Sequence, residues 1–274
     1  MHSTASDGIL TPEEVVKRAS SLGFTHIALT DHDSTAGLQA AGKAAKELGM
    51  TLIPGVELSC GGQKEIHILG YGFDPENRTM QEFCRMRTAD REERARKMVE
   101  NLRSEGKMIT MERVRELAGG VVARPHVARA LLEAGYATSM SDAFDRFLVP
   151  GRCGYVPKRD VKVSEAVKLI GEAGGAAVLA HPMELKMGSM AIEALVREWK
   201  GEGLAGIEVY HPSAANNHLL VLDRLARREG LLVTGGSDFH GDLSHGSVLG
   251  DGLDRWTSVE EDMKVFMKHM RRVV

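Results

Sequence analysis

The feature that most constrains the fold of this chain is a set of short apolar segments that end in, or carry, ionisable residues. In the first of them, residues 27–33, an Ile-Ala-Leu run ends in Thr-Asp-His-Asp. A core strand ends in this way when its carboxyl end faces a solvent-filled cleft. The pattern recurs in the segments 53–60 with Glu57, 65–72 with His67, 178–182 with His181, 207–211 with His211, and 232–240 with Asp238 and His240. The repetition predicts an α/β barrel with side chains converging on one rim.

Helical segments alternate with these strands. Thr11-Pro12-Glu13-Glu14 predicts a helix start, because Thr can cap the helix, Pro fits its first turn and Glu closes a capping box. The alternation predicts a parallel sheet or barrel. Between residues 74 and 155 four helical segments replace the strands, near 79–104, 110–118, 125–134 and 141–148. The predicted division is therefore barrel over 1–73, a helical insertion domain for substrate recognition over 74–155, and barrel again over 156–274.

Composition excludes several classes of protein. The net charge of −3 over 274 residues gives no general attraction to nucleic acid or to membranes. No apolar run approaches the roughly 18 residues of a membrane span, and the first residues do not form a secretory signal. The three cysteines are too widely spaced for a disulfide framework or a zinc ribbon. We expect a cytoplasmic protein, and nothing in the sequence indicates an obligate protein partner.

The ionisable residues at the strand ends suit metal binding. Taken singly, each has another interpretation: His181 precedes a proline, Glu57 could cap a helix, and Asp7 lies in a turn between Ser6 and Gly8. Taken together, they would form a group of close, desolvated charges, which is costly unless a cation neutralises it. Imidazole and carboxylate suit Zn, Mn or Fe, and more than four such ligands indicate more than one ion.

Six ordered motifs resemble those of the PHP (polymerase and histidinol phosphatase) superfamily of phosphoesterases. They are His-Ser-Thr-Ala-Ser-Asp-Gly at 2–8, Thr-Asp-His-Asp at 30–33, Gly-Val-Glu at 55–57, His-Ile-Leu-Gly-Tyr at 67–71, Ala-His-Pro at 180–182 and Gly-Ser-Asp-Phe-His at 236–240. The segments 123–129 and 155–158 further resemble the TrpH/YciV-like branch, whose members act on nucleoside 3′,5′-bisphosphates and on the 5′ ends of short RNA.

The resemblance implies a distorted (β/α)7 TIM-like barrel that holds three divalent ions, which would be Mn²⁺, Zn²⁺ or Fe²⁺. The implied ligand sets are His2, Glu57 and Asp238 for the first ion, Glu57, His67 and His181 for the second, and Asp7, His32 and His240 for the third. The family pattern opens with Asp-Leu-His-x-His-Ser, whereas this sequence starts at the x. The departure raises two expectations: a start that is misplaced or truncated, or a first site with one ligand fewer.

The predicted chemistry is phosphate ester hydrolysis by a water molecule activated between adjacent ions. Asp238, His211 and Asp33 are the candidate catalytic residues, with Asp33 and His211 orienting groups or transferring protons. The insertion is expected to cover the mouth of the barrel. The candidate substrate-binding residues are Arg124, His126, Arg129, Lys158 and His211, because cationic side chains, above all the guanidinium fork, match phosphate.

The helix predicted near 79–104 is rich in charge. Its basic residues are Arg85, Arg87, Arg91, Arg94, Arg96, Lys97 and Arg103. They alternate with acidic residues at helical spacings, which favours a solvated, salt-bridged face over a nucleic-acid track. The low aromatic content of 5% argues against an extended stacking platform for single strands. A phosphorylated small molecule, such as a nucleoside bisphosphate, or a short RNA therefore fits better than a long polymer.

Three functions remain open from the sequence. The first is a phosphoesterase that removes the 3′-phosphate of a nucleoside 3′,5′-bisphosphate, with 5′-to-3′ exoribonuclease activity on short RNA as an extension. The second is a histidinol-phosphate phosphatase on the same fold. The third is a non-catalytic nucleotide-binding module with a degraded metal site, which the shortened opening motif alone favours.

Overall fold

The computed structural model describes residues 1–61, 65–241 and 247–273. Within these residues the chain forms six strands and ten α-helices. The strands are β1 (His26–Leu29), β2 (Thr51–Cys60), β3 (Ile66–Tyr71), β4 (Ala176–Leu179), β5 (Gly206–Tyr210) and β6 (Leu232–Gly235). The helices are α1 (Pro12–Ser21), α2 (Leu38–Glu47), α3 (Arg78–Ser104), α4 (Met111–Ala118), α5 (Arg124–Glu133), α6 (Met140–Ala143), α7 (Val163–Glu172), α8 (Ser189–Gly201), α9 (Asn216–Glu229) and α10 (Val259–Val273). A π-helical segment, Phe144–Leu148, continues α6.

The strands form one sheet in the order β1-β2-β3-β4-β5-β6, which curls into a half-barrel. The pairs β1–β2, β4–β5 and β5–β6 are parallel. The first residues of the chain connect the two outer strands: the His2 N–H donates to Phe239 O at 2.8 Å, just after β6, and the Thr30 N–H, just after β1, donates to Met1 O at 2.9 Å. The amino-terminal segment therefore lies at the rim where the strands end.

The expected parallel arrangement is wrong at β3, which runs antiparallel to both β2 and β4. The reason is the length of the connection. Only five residues separate β2 from β3, whereas a parallel crossover needs about a dozen or more. Because of this reversal, the amino-terminal end of β3 lies at the same edge as the carboxyl ends of the parallel strands. His67 therefore reaches the rim from the start of its strand.

The predicted capping box of α1 is confirmed. The Glu14 N–H donates to Thr11 Oγ1 at 3.3 Å, and the Thr11 N–H donates back to Glu14 Oε2 at 2.8 Å. These bonds satisfy two backbone donors that a helix start leaves open. The helix then buries Val15, Val16 and Ala19 against the sheet core.

The long helix α3 joins two hydrophobic clusters. Met80 and Cys84, near its start, belong to the core beneath the sheet. Met98 and Leu102, near its end, belong to a separate cluster that α4, α5 and α6 complete. Since the helix is continuous over 27 residues, it fixes the second cluster relative to the first.

The last helix, α10, docks on the barrel. Phe266 and Met270 are buried against a cluster that includes Leu69 and Tyr71, and the rings of Tyr71 and Phe266 meet edge to face at 5.7 Å. This packing uses the apolar face of an otherwise charged helix. Among all described helices, none is both long enough and apolar enough to traverse a lipid bilayer.

Candidate metal centre

Eight imidazole and carboxylate side chains meet at one rim of the sheet. The segments that follow β1, β4 and β6 carry His32, His181, Asp238 and His240. Glu57 lies within β2, His67 lies at the start of β3, and the amino-terminal segment supplies His2 and Asp7. Six of them are buried, Asp238 keeps 30% of its side chain exposed and His67 keeps 16%. The eight are His2, Asp7, His32, Glu57, His67, His181, Asp238 and His240. They are the residues that the sequence motifs single out as metal ligands, and the structure brings all of them into one cluster.

Glu57 lies at the centre of this cluster. Its Oε1 atom is 2.7 Å from His67 Nδ1 and 3.0 Å from His181 Nε2, and its Oε2 atom is 3.1 Å from His2 Nε2. The carboxylate is 2% exposed. Both oxygens of the carboxylate thus face imidazole nitrogens.

The donor set fits divalent cations. His2 Nε2, Asp7 Oδ1 and His32 Nδ1 are buried without a well-directed hydrogen bond, and such atoms are costly unless something else satisfies them. Three overlapping groups have ligand atoms within 4.8 Å of one another: His2 with Asp7, His32 and His240; His32 with Glu57 and His67; and His2 with Glu57 and Asp238. The mixture of imidazole nitrogen and carboxylate oxygen suits Zn, Mn or Fe.

The electrostatics of the cluster favour a cation as well. Burial alone would raise the pKa of Glu57, but the imidazoles of His32 and His67 outweigh it and hold that pKa well below its usual range. Burial would lower the pKa of His2, yet the close carboxylates of Asp238 and Glu57 raise it to about 10. The same negative charge attracts divalent cations, which compete with protons for the ring nitrogens.

Backbone strain is concentrated at the rim. Of the four described non-glycine residues with positive φ, three lie in the segments that carry the cluster: Asp33 at 51°, His181 at 24° and Asp238 at 49°. Such conformations cost of order 1–3 kcal/mol each and persist where the surroundings hold them. For His181 that support is visible, because its N–H donates to Glu208 Oε2 at 2.8 Å.

Asp31 holds the amino-terminal segment against the rim. It is 2% exposed, and its carboxylate accepts the Ser3 N–H at 2.6 Å, the Ser3 hydroxyl at 2.7 Å and the Ser6 hydroxyl at 2.6 Å. These bonds fold residues 2–7 into a compact turn. His2 and Asp7 lie at the two ends of that turn, so Asp31 fixes both of them at once.

We expect Asp31→Ala to weaken metal binding by about 10- to 100-fold, the usual effect of removing a group that orients ligands. The measurement is metal content and affinity of the purified protein, with Asp74→Ala as the control, since Asp74 lies in the exposed turn before α3. Unchanged affinity in Asp31→Ala would show that the turn does not depend on this carboxylate.

Asp33 binds arginines of α3. Its Oδ2 atom accepts from Arg91 Nε at 3.1 Å and Arg91 Nη2 at 2.7 Å, Arg87 Nη2 lies 3.6 Å away, and its Oδ1 atom accepts the Ser59 N–H at 2.9 Å. Burial alone would raise the pKa of Asp33, but the positive charges of Arg91 and Arg87 oppose it and the pKa is lowered to about 2. With both oxygens engaged, this carboxylate is suited to positioning Arg91 rather than to accepting a proton.

The solvated, salt-bridged face expected for the basic residues of α3 is found for only some of them. Arg87 is 3% exposed, and Arg91 and Arg94 line the cavity next to the metal cluster. The exposed part of the face, where Arg96 pairs with Glu93 and Glu100, does match the expectation. The sequence carried a signal for the exception: Arg87 and Arg91 continue the spacing of the buried positions 80, 84, 95, 98 and 102.

A cavity of about 460 Å³ separates the cluster from the helices α3 and α5. Arg124 and Lys158, two of the candidate substrate-binding residues, line it, together with His32, His67 and His240 of the cluster. Arg94, which the sequence places only among the charged residues of α3, also lines it. Burial, and after it the neighbouring Arg124, lowers the pKa of Arg94 to about 10.

The other sequence candidates are not among the residues that line this cavity. His126 is buried, and its Nδ1 accepts the Ala123 N–H at 2.9 Å, so it caps the start of α5. Arg129 is exposed on the same helix and is not among the residues that line the cavity. His211 is buried with its ring 5.5 Å from that of His181. Burial and His181 lower the pKa of His211 to about 4, so its imidazole is neutral at pH 7.

Comparison with known proteins places this chain among phosphoesterases. The family described as "PHP domain" matches residues 1–148. The 5′-3′ exoribonuclease Rnm of Escherichia coli is 38% identical over 243 residues, which cover 87% of this chain and 83% of that protein. The 3′,5′-nucleoside bisphosphate phosphatase of Chromobacterium violaceum is 36% identical over 256 residues, covering 92% and 90%. A solved structure of an amidohydrolase from Chromobacterium violaceum with bound sulfate superimposes with a TM-score of 0.81 at 37% identity, covering 88% of this chain and 86% of that one.

Proposed function

The chain belongs to the PHP domain family, and on that premise we propose that it is a metal-dependent phosphoesterase that removes the 3′-phosphate of a nucleoside 3′,5′-bisphosphate. The observation that carries the proposal is the position of Glu57. This one buried carboxylate meets imidazoles from three separate segments, and a cavity lined by arginine and lysine opens beside it. Ligands for cations and groups for phosphate thus face the same space.

We assign the ligands to three divalent ions of the Mn, Zn or Fe type. The first set is His2, Glu57 and Asp238, the second is Glu57, His67 and His181, and the third is Asp7, His32 and His240. When bound, such ions polarise phosphoryl oxygens and activate water for in-line displacement. The surrounding protein supplies orientation, and Asp31, Asp33 and Glu208 do this through the bonds described above.

The helical region over 74–155 serves as the substrate-recognition unit in this proposal. Arg124 from α5 and Arg91 and Arg94 from α3 present guanidinium groups to the cavity, and guanidinium matches phosphate in geometry as well as charge. Lys158, which follows this region closely in the sequence, adds a fourth cation. The unit therefore supplies the positive charge that a substrate with two phosphates requires.

His211 is suited to donate a hydrogen bond. The Ser213 N–H donates to His211 Nδ1 at 3.2 Å. The proton of the neutral ring is therefore on Nε2, an atom that is buried and has no hydrogen-bond partner among the described residues. Such an N–H can stabilise a phosphoryl oxygen or the departing hydroxyl of the nucleoside.

A second candidate function is 5′-to-3′ exoribonuclease activity on short RNA. The observation that favours it is the relationship to the Escherichia coli exoribonuclease over 87% of this chain. Both functions cleave a phosphate ester next to a second phosphate group, so one site can serve both. A protein lacking turnover altogether would instead be the nucleotide-binding module considered above.

The test is phosphate release from adenosine 3′,5′-bisphosphate by the full-length, metal-loaded protein. We expect turnover that yields adenosine 5′-monophosphate, that a chelator abolishes and that Mn²⁺ restores, because the metal ligands include no alternative nucleophile such as serine or cysteine. Histidinol phosphate is the comparison substrate, and a short 5′-phosphorylated RNA tests the second function. Failure to release phosphate from the bisphosphate would rule out the proposal, and faster turnover of histidinol phosphate would replace it.

A further inference from the structure

The cavity beside the metal cluster carries more positive charge than its carboxylates neutralise. Arg87 and Arg91 are paired with Asp33, Lys97 lies 3.3 Å from Glu93 and Arg159 lies 3.8 Å from Asp90. Three further cations line the same cavity, namely Arg94, Arg124 and Lys158. Arg94 forms no ion pair within the described part of the chain, and its Nε donates only to Val156 O at 2.8 Å.

Arg124 and Lys158 share a single carboxylate, Glu65. Its Oε1 atom is 3.3 Å from Arg124 Nη2 and 3.9 Å from Lys158 Nζ. Charge-assisted hydrogen bonds are usually about 2.7–2.9 Å long, so this carboxylate is loosely held. It is also 48% exposed, whereas the side chains of Arg124 and Lys158 are 25% and 10% exposed. Glu65 can therefore turn towards solvent while the two cations remain in place.

We propose that Glu65 occupies the position of the substrate's second phosphate and acts as an internal competitor for it. The inference rests on the proposed function, since it concerns the phosphate that is not hydrolysed. A terminal phosphate brings three oxygens and a charge near −2 at pH 7, so it can engage Arg94, Arg124 and Lys158 together and displace Glu65. A phosphodiester carries one negative charge, and a hydroxyl carries none. Glu65 thereby determines specificity, because it favours substrates whose second group is a terminal phosphate.

The position of Glu65 explains how this selection operates near the metals. It directly precedes β3, two residues before His67. The side chains of Glu65 and His67 therefore lie on the same face of the chain. Both line the cavity that contains the cations. A substrate that spans the cavity would place one phosphate at the metal cluster and the other at Arg94, Arg124 and Lys158.

The test compares Glu65→Gln with the wild type on two substrates, adenosine 3′,5′-bisphosphate and adenosine 3′-monophosphate. Removing the competing charge is expected to lower KM for the bisphosphate about fivefold, the effect of two weak, partly exposed ion pairs. KM for the monophosphate should change much less, since that substrate lacks the second phosphate. An equal change for both substrates, or a higher KM for the bisphosphate, would overturn the inference.

Arg94→Gln provides the complementary variant. We expect it to raise KM for the bisphosphate by about 10- to 100-fold, as expected for a lost charge-assisted bond, and to raise KM for the monophosphate much less. Arg96→Gln is the matched control on the same helix, because Arg96 is exposed and pairs with Glu93 and Glu100.

A binding measurement separates this inference from the proposed function. Calorimetry with adenosine 3′,5′-bisphosphate in the presence of a chelator should show tighter binding to Glu65→Gln than to the wild type. Equal affinity would overturn the role of Glu65 even if turnover is normal. Conversely, tighter binding by Glu65→Gln without turnover by the wild type would overturn the proposed reaction and leave the second-phosphate position standing.

Discussion

We expect Glu57→Gln to lose its metal ions and to have a kcat at least about 10³-fold below that of the wild type. This decrease corresponds to about 4 kcal/mol of transition-state stabilisation. Both oxygens of Glu57 lie within 3.1 Å of imidazole nitrogens. An amide has nearly the same shape, but it is uncharged and carries a donor where a second acceptor is needed. The variant therefore removes the shared negative charge from the centre of the cluster without leaving a hole.

Two measurements check this expectation: the metal content of the purified variant and phosphate release from adenosine 3′,5′-bisphosphate. Glu260→Gln is the control, since Glu260 is exposed in the first turn of α10. The circular dichroism spectrum shows whether the variant is folded. A folded Glu57→Gln protein that keeps its metals and more than a tenth of the activity would contradict the central role of this carboxylate.

Asp33→Ala is expected to reduce the free energy of unfolding by about 3–5 kcal/mol, the usual cost of leaving a buried charge without its partner. Asp33 is fully buried, Arg87 is nearly so, and Arg91 donates two hydrogen bonds to the lost carboxylate. The backbone adds to the cost, because residue 33 has a φ of 51° and alanine disfavours that region. Asp33→Asn keeps the favourable backbone and one acceptor, so it should lose less.

The pH dependence of the unfolding free energy distinguishes the contribution of the Asp33 charge from that of the backbone at residue 33. The pKa of Asp33 falls from 3.8 to about 2 on folding. A lowered pKa stabilises the native state fully above the unfolded pKa, and the stabilisation is lost as the pH falls through 4 towards 2. The difference in unfolding free energy between wild type and Asp33→Asn, measured by urea denaturation, should therefore shrink between pH 5 and pH 3. Asp74→Asn serves as the exposed control, and a constant difference would assign the effect to packing.

Most helices and strands were predictable because local signals and burial agree. The capping box of Thr11 and Glu14 predicted the start of α1. The ionisable residues at the strand ends predicted the rim of the sheet at which they meet. The reversed β3 was missed although its short connection excludes a parallel crossover. The sequence motifs indicated the eight clustered residues, and the structure adds that Glu57 touches three imidazoles.

The residues of the cavity were harder to predict. Arg91 faces the cavity because Asp33 is placed opposite it, and the two lie 58 positions apart in the chain. Glu65 meets Arg124 from 59 positions away. Such pairings arise only when the sheet and the helices are packed, and no local periodicity records them. His126 is the opposite case, because its contact is local. It lies three residues after Ala123 and caps α5 through its ring nitrogen.

The continuity of α3 has a consequence for how a substrate is received. A helix of 27 residues is about 40 Å long, and each of its halves is anchored in a different apolar cluster. Arg91 and Arg94 project from the part of the helix that lies between these two anchored ends. The guanidinium groups are thus held at a set distance from the strand ends before any ligand arrives. Binding should then require little ordering of the backbone, which keeps the entropic cost of association low.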